Sequence, residues 1–334
     1  MAALERIKVL YYSGFKLAPQ GCCCILKSHH YKVVPDISVG GDAPKAILKV
    51  YEYTAGKKSN PKNWPIYIAK TGHKWYPSES ITEHLLTLLG KSFQLKMADS
   101  RLCVINGQLR FLSRYFLKKE QRLVHGAEIY AGFLSNDRDF VEEIEAQKMA
   151  RKFFTLQFTY DALKAGFPKN ADSILKEFVK MLLFDALVGN NDRHFYNWAV
   201  VEHVENKHEP YFSPIYDTAR GFFWNTTEKK ILSLQPHSKE FIRFTEKYYN
   251  HSKPKVGLEG IKDIKDINHF NLAQFIIENE FGILQSEIQS FFNTDNLKRA
   301  IQSIDNEFAG LYSKARIDFI KNCLVNRFNQ VFNF

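Results

Sequence analysis

The sequence predicts an α+β chain of two unequal lobes, a small β-rich lobe carrying one helix and then a larger, mostly helical lobe. Three observations predict it. Short apolar runs broken by turn residues fill the first part, apolar residues at helical spacing fill the rest, and 334 residues exceed what one small core encloses.

The β-type runs lie at residues 22–27, 46–53, 66–70, 101–105 and 108–112. The last two are joined by Asn106-Gly107, a two-residue hairpin signal because both residues tolerate positive φ. Between Ser78 and Leu89 the period changes: Ile81, Leu85, Leu88 and Leu89 fall on one helical face, with Ser78 or Ser80 as N-cap. This helix is expected to pack across the sheet. From about Lys118 the pattern is helical, over 140–154, 171–188, 270–281, 284–292 and 297–331. Residues 250–266 read as a surface connection, and 213–217 as a short strand that delivers Asp217. Most of the 28 Phe and 16 Tyr belong to packing.

Composition excludes several classes. Hydrophobic residues make up 45% and charged residues 25%, and no run reaches the roughly 18 apolar residues of a membrane span. Glu5, Arg6, Lys8 and Lys16 interrupt the apolar N-terminal stretch, so an export signal is not expected and the chain reads as cytoplasmic. Five cysteines, three of them consecutive at Cys22–Cys24, do not suit a disulfide scaffold. They read as a buried or half-buried strand in a reducing compartment, with a redox or metal role as the alternative. The net charge of +10 comes from scattered residues, with only short clusters such as Lys57-Lys58, Lys118-Lys119 and Lys229-Lys230. It suits an anionic ligand or acidic partner, and no sequence-specific DNA binding is expected.

Chemistry concentrates in Gly189-Asn-Asn-Asp192-Arg-His194-Phe-Tyr-Asn197 and Pro214-Ile-Tyr-Asp217. The Asp192–Asn197 spacing is that of a phosphoryl-transfer loop, in which the Asp orients a hydroxyl and the Asn holds magnesium. Asp217 would be a second oxygen ligand, which with Asn197 and a nucleotide suffices for Mg2+. Either His194, counted with the cofactor-binding residues, or Arg193 would brace the loop. In the first lobe, Gly40 and Gly41 with Ser38 precede a strand and would let backbone N–H groups approach phosphate. Lys70 ends the strand at 66–70 on its apolar face, where an ammonium requires a carboxylate or phosphate. Glu83 is the preferred partner and Glu79, one turn earlier, the alternative.

Two other classes remain open on these residues. A metal-dependent phosphoesterase would use Asp192, His194, His203 and Asp217 for two ions, but leaves Lys70 and the Gly-Gly loop without a task. A basic nucleic-acid-binding module leaves Asp192, Asn197 and Asp217 without one.

Three separated segments, Ile37-Ser-Val-Gly-Gly-Asp-Ala-Pro-Lys45, residues 66–70, and the Asp192, Asn197 and Asp217 motifs, together resemble the HipA-like Ser/Thr kinases. The resemblance covers about residues 36–225 and implies a protein-kinase-like fold with an N-lobe at 1–112, a hinge at 113–116 and a C-lobe at 117–334. It implies ATP and Mg2+ as cofactors, Asp192 as catalytic aspartate, Asn197 and Asp217 as magnesium ligands, and Lys70 on the ATP phosphates. It also implies Ser113 to Tyr115 as the hinge that meets adenine, although Ser113 stands where many relatives carry an acidic residue. Ser38 matches an autophosphorylated loop serine, whose added charge would expel the loop from a triphosphate site. Asp217-Thr-Ala takes the place of an Asp-Phe-Gly triplet.

Full-length relatives begin with an extra small domain; too few residues precede the glycine loop here, so the chain resembles shortened variants that a separate small protein completes. The family implies a toxin that phosphorylates a protein such as a tRNA-bound aminoacyl-tRNA synthetase. Its silencing partner would be a small HipS-like protein or a DNA-binding HipB-like antitoxin. A kinase delivered into host cells, or a pseudokinase, is the alternative within the family.

Overall fold

The computed structural model describes residues 23–35, 45–52, 57–72, 76, 78–205, 207–235, 238–261 and 267–332. The expected loop with Ser38, Gly40 and Gly41 lies outside the described residues, as does Cys22.

The first part of the chain contributes β1 (Cys24–Leu26), β2 (Tyr31–Val33), β3 (Lys45–Val50), β4 (Ile66–Lys70), α1 (Glu79–Ser92), β5 (Ser100–Ile105) and β6 (Gln108–Arg114). Among the described residues these strands form one sheet in the order β1-β5-β6-β4-β3-β2, antiparallel except where β1 lies parallel to β5. Asn106 (φ 51°) and Gly107 (φ 71°) turn β5 into β6 as expected. Strand alternation divides the side chains between two faces. Leu48, Tyr67, Ala69, Cys103, Ile105 and Leu112 pack together on one. Lys70 stands opposite Lys45 on β3 and Phe111 on β6, so these share the other face, toward α1.

Helix α1 buries Ile81, Leu85, Leu86 and Leu89. Ser78 occupies the N-cap position without capping: its backbone is helical and its Oγ donates to the Trp224 carbonyl at 3.0 Å. The helix start is thereby tied to the second half of the chain.

The remainder comprises β7 (Gln121–His125), α2 (Gly126–Phe133), α3 (Arg138–Ala146), α4 (Ala150–Phe153), α5 (Leu156–Gly166), α6 (Ala171–Val188), β8 (Ala199–His203), β9 (Tyr211–Phe212), α7 (Glu228–Ser233), α8 (Lys239–His251), α9 (His269–Glu278), α10 (Gln285–Phe291), α11 (Thr294–Phe308) and α12 (Lys314–Val331). Its central element is α6, whose residues from Phe178 to Val188 are all buried. Helix α1 packs on α11, and Phe93 just after α1 lies 5.5 Å from Phe292 and 6.2 Å from Phe328, ring centre to ring centre. One apolar core therefore runs from the sheet through α1 into the C-terminal helices.

Several expectations are corrected. The helix expected over 140–154 is two, because Lys148 adopts φ 57°, and the one expected over 297–331 breaks before Ser313, which caps α12 by accepting from Arg316 N at 3.1 Å. The sheet of β7, β8 and β9 was not expected; β7 pairs with β8 across a long separation, His125 opposite Ala199, and the β8–β9 pair, Val201 opposite Tyr211, carries no two-residue turn to signal it. Residues 213–217 are not a strand, since only an isolated bridge joins Ile215 to Met97. The segment after α8 is not purely a surface connection: Ser252, Val256 and Leu258 are buried, and Gly257 bridges to Thr155.

Candidate functional site

Lys70, at the end of β4, places its Nζ 2.7 Å from Glu83 on α1 and 2.8 Å from Asp217. Glu83 rather than Glu79 is therefore the helix partner. Burial would lower the Lys70 pKa, but the Asp217 and Glu83 carboxylates outweigh it and hold the ammonium well above its usual range. Burial pushes the Glu83 carboxyl upward against the pull of Lys70, with the Asp217 charge adding to the rise. Burial acts the same way on Asp217, yet there the Lys70 ammonium, supported by Lys45 and Arg193, wins and holds the carboxyl well below the carboxylate range. The Asp217 side chain keeps 31% exposure and its backbone sits at φ 55°, a left-handed conformation that Asp and Asn adopt more readily than other non-glycine residues.

The second half of the site follows from how α6 ends. Gly189 closes the helix in the left-handed region at φ 66°, and Asn190 to Asn197 run as a loop. Asp185, an acidic residue in the apolar C-terminal stretch of α6, accepts from Arg193 Nε at 2.8 Å, with both side chains 2% exposed. Arg193 also donates to the carbonyls of Asn197 and Tyr216, each at 2.7 Å, so a single buried guanidinium ties α6, the loop and the Asp217 segment together. Asn190 Nδ2 donates to Asp185 and its Oδ1 accepts from Asp192 N, while Asn197 Nδ2 donates to the Asp192 carbonyl at 2.8 Å. Arg193 is thus the brace. His194 is half-buried; burial lowers its pKa, and its Nδ1 accepts from Tyr196 N at 3.2 Å.

The structure brings Lys70, Glu83 and Asp217 together at the junction of sheet and α1, and Arg193 ties the loop to that junction by donating to the carbonyls of Asn197 and Tyr216, with the Asp192 carbonyl held by the Asn197 amide. Ser113 lies on β6 opposite Ile68, and Tyr115 follows the strand end. The N–H groups of Arg114 and Tyr115 donate to the carbonyls of Asp99 and Ile66, at 2.7 and 2.9 Å. They are therefore committed within the protein. The ring of Phe116, the next residue, lies tilted 6.1 Å from that of Tyr216, whose hydroxyl meets His125 Nδ1 at 3.1 Å.

Asn197 and Asp217 suit a hard cation: the Asn197 Nδ2 is spent on the backbone, which leaves its Oδ1 as the free end of the amide, and Asp217 is held ionised and part exposed. Among the described residues no three His, Cys, Asp or Glu side chains gather to hold a metal, so Asp192, His194, His203 and Asp217 do not assemble a two-ion centre. His203 instead lies on β8 beside Glu120.

Residues to which the sequence reading gave no role are Asp185, Tyr216 and Arg220. Only Asp185 carried a signal, as a lone charge among Met181, Leu182, Leu183, Phe184, Ala186 and Leu187 that needs a partner. Arg220 Nε lies 3.4 Å from Asp192 Oδ2.

No described helix is long and apolar enough to cross a membrane. No curated protein matches the sequence. The crystal structure of the Helicobacter pylori proinflammatory kinase CtkA is similar at TM-score 0.68 and 18% identity, over 90% of this chain and 93% of that one. A chain of the Shewanella oneidensis MR-1 toxin–antitoxin complex of HipA, HipB and operator DNA is similar at TM-score 0.50 and 15% identity, over 95% of this chain and 75% of that one. The sequence itself matches the HipA-like C-terminal domain over residues 37–269, a span that holds Lys70, Glu83, Asp192, Asn197 and Asp217. The chain belongs to the HipA-like C-terminal domain family.

Proposed function

We propose that the chain is an ATP-dependent Ser/Thr protein kinase. The observation that carries this reading is the Lys70 ammonium held between Glu83 of α1 at 2.7 Å and Asp217 at 2.8 Å, beside a loop with Asp192 and Asn197. A lysine fixed in this way is a receptor for nucleotide phosphates, and phosphoryl transfer depends mainly on positioning and charge neutralisation. Asp192 orients the acceptor hydroxyl and accepts its proton. Asn197 Oδ1 and Asp217 hold magnesium, which neutralises the phosphate oxygens when bound. Ser113 to Tyr115 line the hinge, and Phe116, with its aromatic neighbour Tyr216, receives the base edge. His194 stays neutral and packs the loop.

Ser38, Gly40 and Gly41 form the phosphate-covering loop in this reading, and phosphorylation of Ser38 withdraws that loop. The acceptor is a protein, for which a tRNA-bound aminoacyl-tRNA synthetase is the candidate. A HipB-like or small HipS-like antitoxin is the candidate partner, a setting supported by the similarity to a complex that contains HipB. The likeness to a proinflammatory kinase supports a second setting, a host-directed effector. Co-purification of a DNA-binding partner expressed from the same locus separates the two.

The test is intact mass after incubation with ATP and Mg2+. One added phosphate is expected, absent in Asp192→Asn and in Ser38→Ala. Phosphate uptake that survives Asp192→Asn sinks the kinase reading.

A further inference from the structure

We infer that Arg220 is a further catalytic residue, whose guanidinium contacts the transferring phosphoryl group on the acceptor side. The inference rests on the kinase reading above. In that step the acceptor oxygen forms a bond to the γ-phosphorus as the bond to the β–γ bridging oxygen breaks. ADP leaves with the electron pair, and the acceptor proton passes to Asp192. Negative charge spreads over the equatorial oxygens, and a cation fixed in advance at that place lowers the barrier.

The cations flanking the loop divide the task. Lys70 is committed to Glu83 and Asp217 on the nucleotide side, and Arg193 is 2% exposed and spent on Asp185 and two carbonyls. Arg220 differs from both. Its Nε lies 3.4 Å from Asp192 Oδ2 and 3.9 Å from Glu79 Oε1, its side chain is 42% exposed, and it donates no side-chain hydrogen bond within the described residues. Its donors are therefore available to a ligand at the Asp192 carboxylate.

The placement is also rigid. The guanidinium lies over the Trp224 ring at 5.0 Å, and Trp224 is held by Ser78 Oγ on its carbonyl and by the Tyr76 ring at 5.5 Å. The Arg220 carbonyl accepts from Asn191 N at 3.3 Å, in the loop itself. At the next residue, a Cβ on Gly221 would meet the Val188 carbonyl at 2.9 Å, so the segment lies flat against the end of α6. A planar guanidinium lying over an aromatic ring and flanked by two carboxylates offers paired donors to phosphate, which lysine does not.

The experiment compares the wild type with Arg220→Ala and Arg220→Lys, on the full chain. Phosphate transfer is measured alongside binding of Mg-ADP and of Mg-ADP with aluminium fluoride, a mimic of the transferring group. Arg220→Ala is expected to lower turnover by about 100-fold while the ATP KM stays within about threefold. It should weaken the fluoride complex but not Mg-ADP, and free guanidinium ion should restore part of the lost rate. Unchanged turnover would reduce Arg220 to a surface ion pair, and faster turnover would make it a latch on Asp192; either overturns the inference. A wild-type chain that binds no Mg-ADP removes the kinase reading and the role of Arg220 with it, an outcome distinct from selective loss in the variant.

Discussion

Lys70 and Asp217 stand 147 positions apart in the chain and meet at 2.8 Å, with Glu83 on the other side of the same ammonium. Removing the cation leaves two carboxylates facing each other in a mostly buried place. Lys70→Met is expected to cost about 3 kcal/mol near neutral pH, measured by urea unfolding, and to abolish nucleotide binding. Glu83 is already shifted upward, so in the folded state it binds a proton at a pH where the unfolded chain does not. The loss should therefore shrink on acidification, and Lys70→Met/Glu83→Gln should recover part of it.

The Arg193–Asp185 pair is sealed from water at 2% exposure on each side. Breaking it from one side strands a buried charge, so Arg193→Met should destabilise by roughly 3–5 kcal/mol. The double variant Arg193→Met/Asp185→Leu should lose less than the sum of the single changes. It should still lack phosphate transfer, because the two carbonyls that Arg193 holds are released with it. A double-mutant cycle by chemical denaturation, paired with activity, checks both parts.

Gly189 sits at φ 66°, and a Cβ there would lie 2.7 Å from the Tyr248 ring. Gly189→Ala therefore meets both backbone strain and overlap, with an expected cost of about 1–3 kcal/mol. The Tyr248 hydroxyl donates to the Gly189 carbonyl at 2.9 Å, so the shift should reach Asp192 through Asn190. A fall in turnover larger than the fall in folded fraction is the expected result.

Acid should unfold the protein in a defined window. Burial, with Lys91 nearby, pushes the His84 pKa down from 6.5 to about 4. His269, fully buried and facing Arg327, is pushed well below its usual value. The unfolded chain takes up these protons first, so this contribution is complete above pH 6.5 and is lost as pH falls toward 4. For His84 the loss is about 3 kcal/mol. His84→Gln should flatten the stability profile over that interval, as followed by thermal melts.

The resemblance named in the sequence was carried by short motifs whose spacing is local. Asp192 and Asn197 belong to one loop, and a strand lysine followed by a helix with Glu79 and Glu83 is readable as a strand–helix pair. The hairpin at Asn106-Gly107 and the long buried helix α6 were readable for the same reason. Where three-dimensional pairing decided, the reading failed. The β7–β8 pairing joins strands with no common turn, and Lys148 breaks a helical apolar pattern by adopting positive φ.

By itself, then, the sequence determined the class of fold and the family and named the polar groups proposed for the site, because periodicity, turn chemistry and motif spacing act over a few residues. Only the tertiary structure decided that Glu83 rather than Glu79 meets Lys70, that Arg193 rather than His194 braces the loop, and that Arg220 reaches Asp192. Those choices depend on where distant backbones cross, and a contact across 147 positions leaves no local trace in the residues that make it.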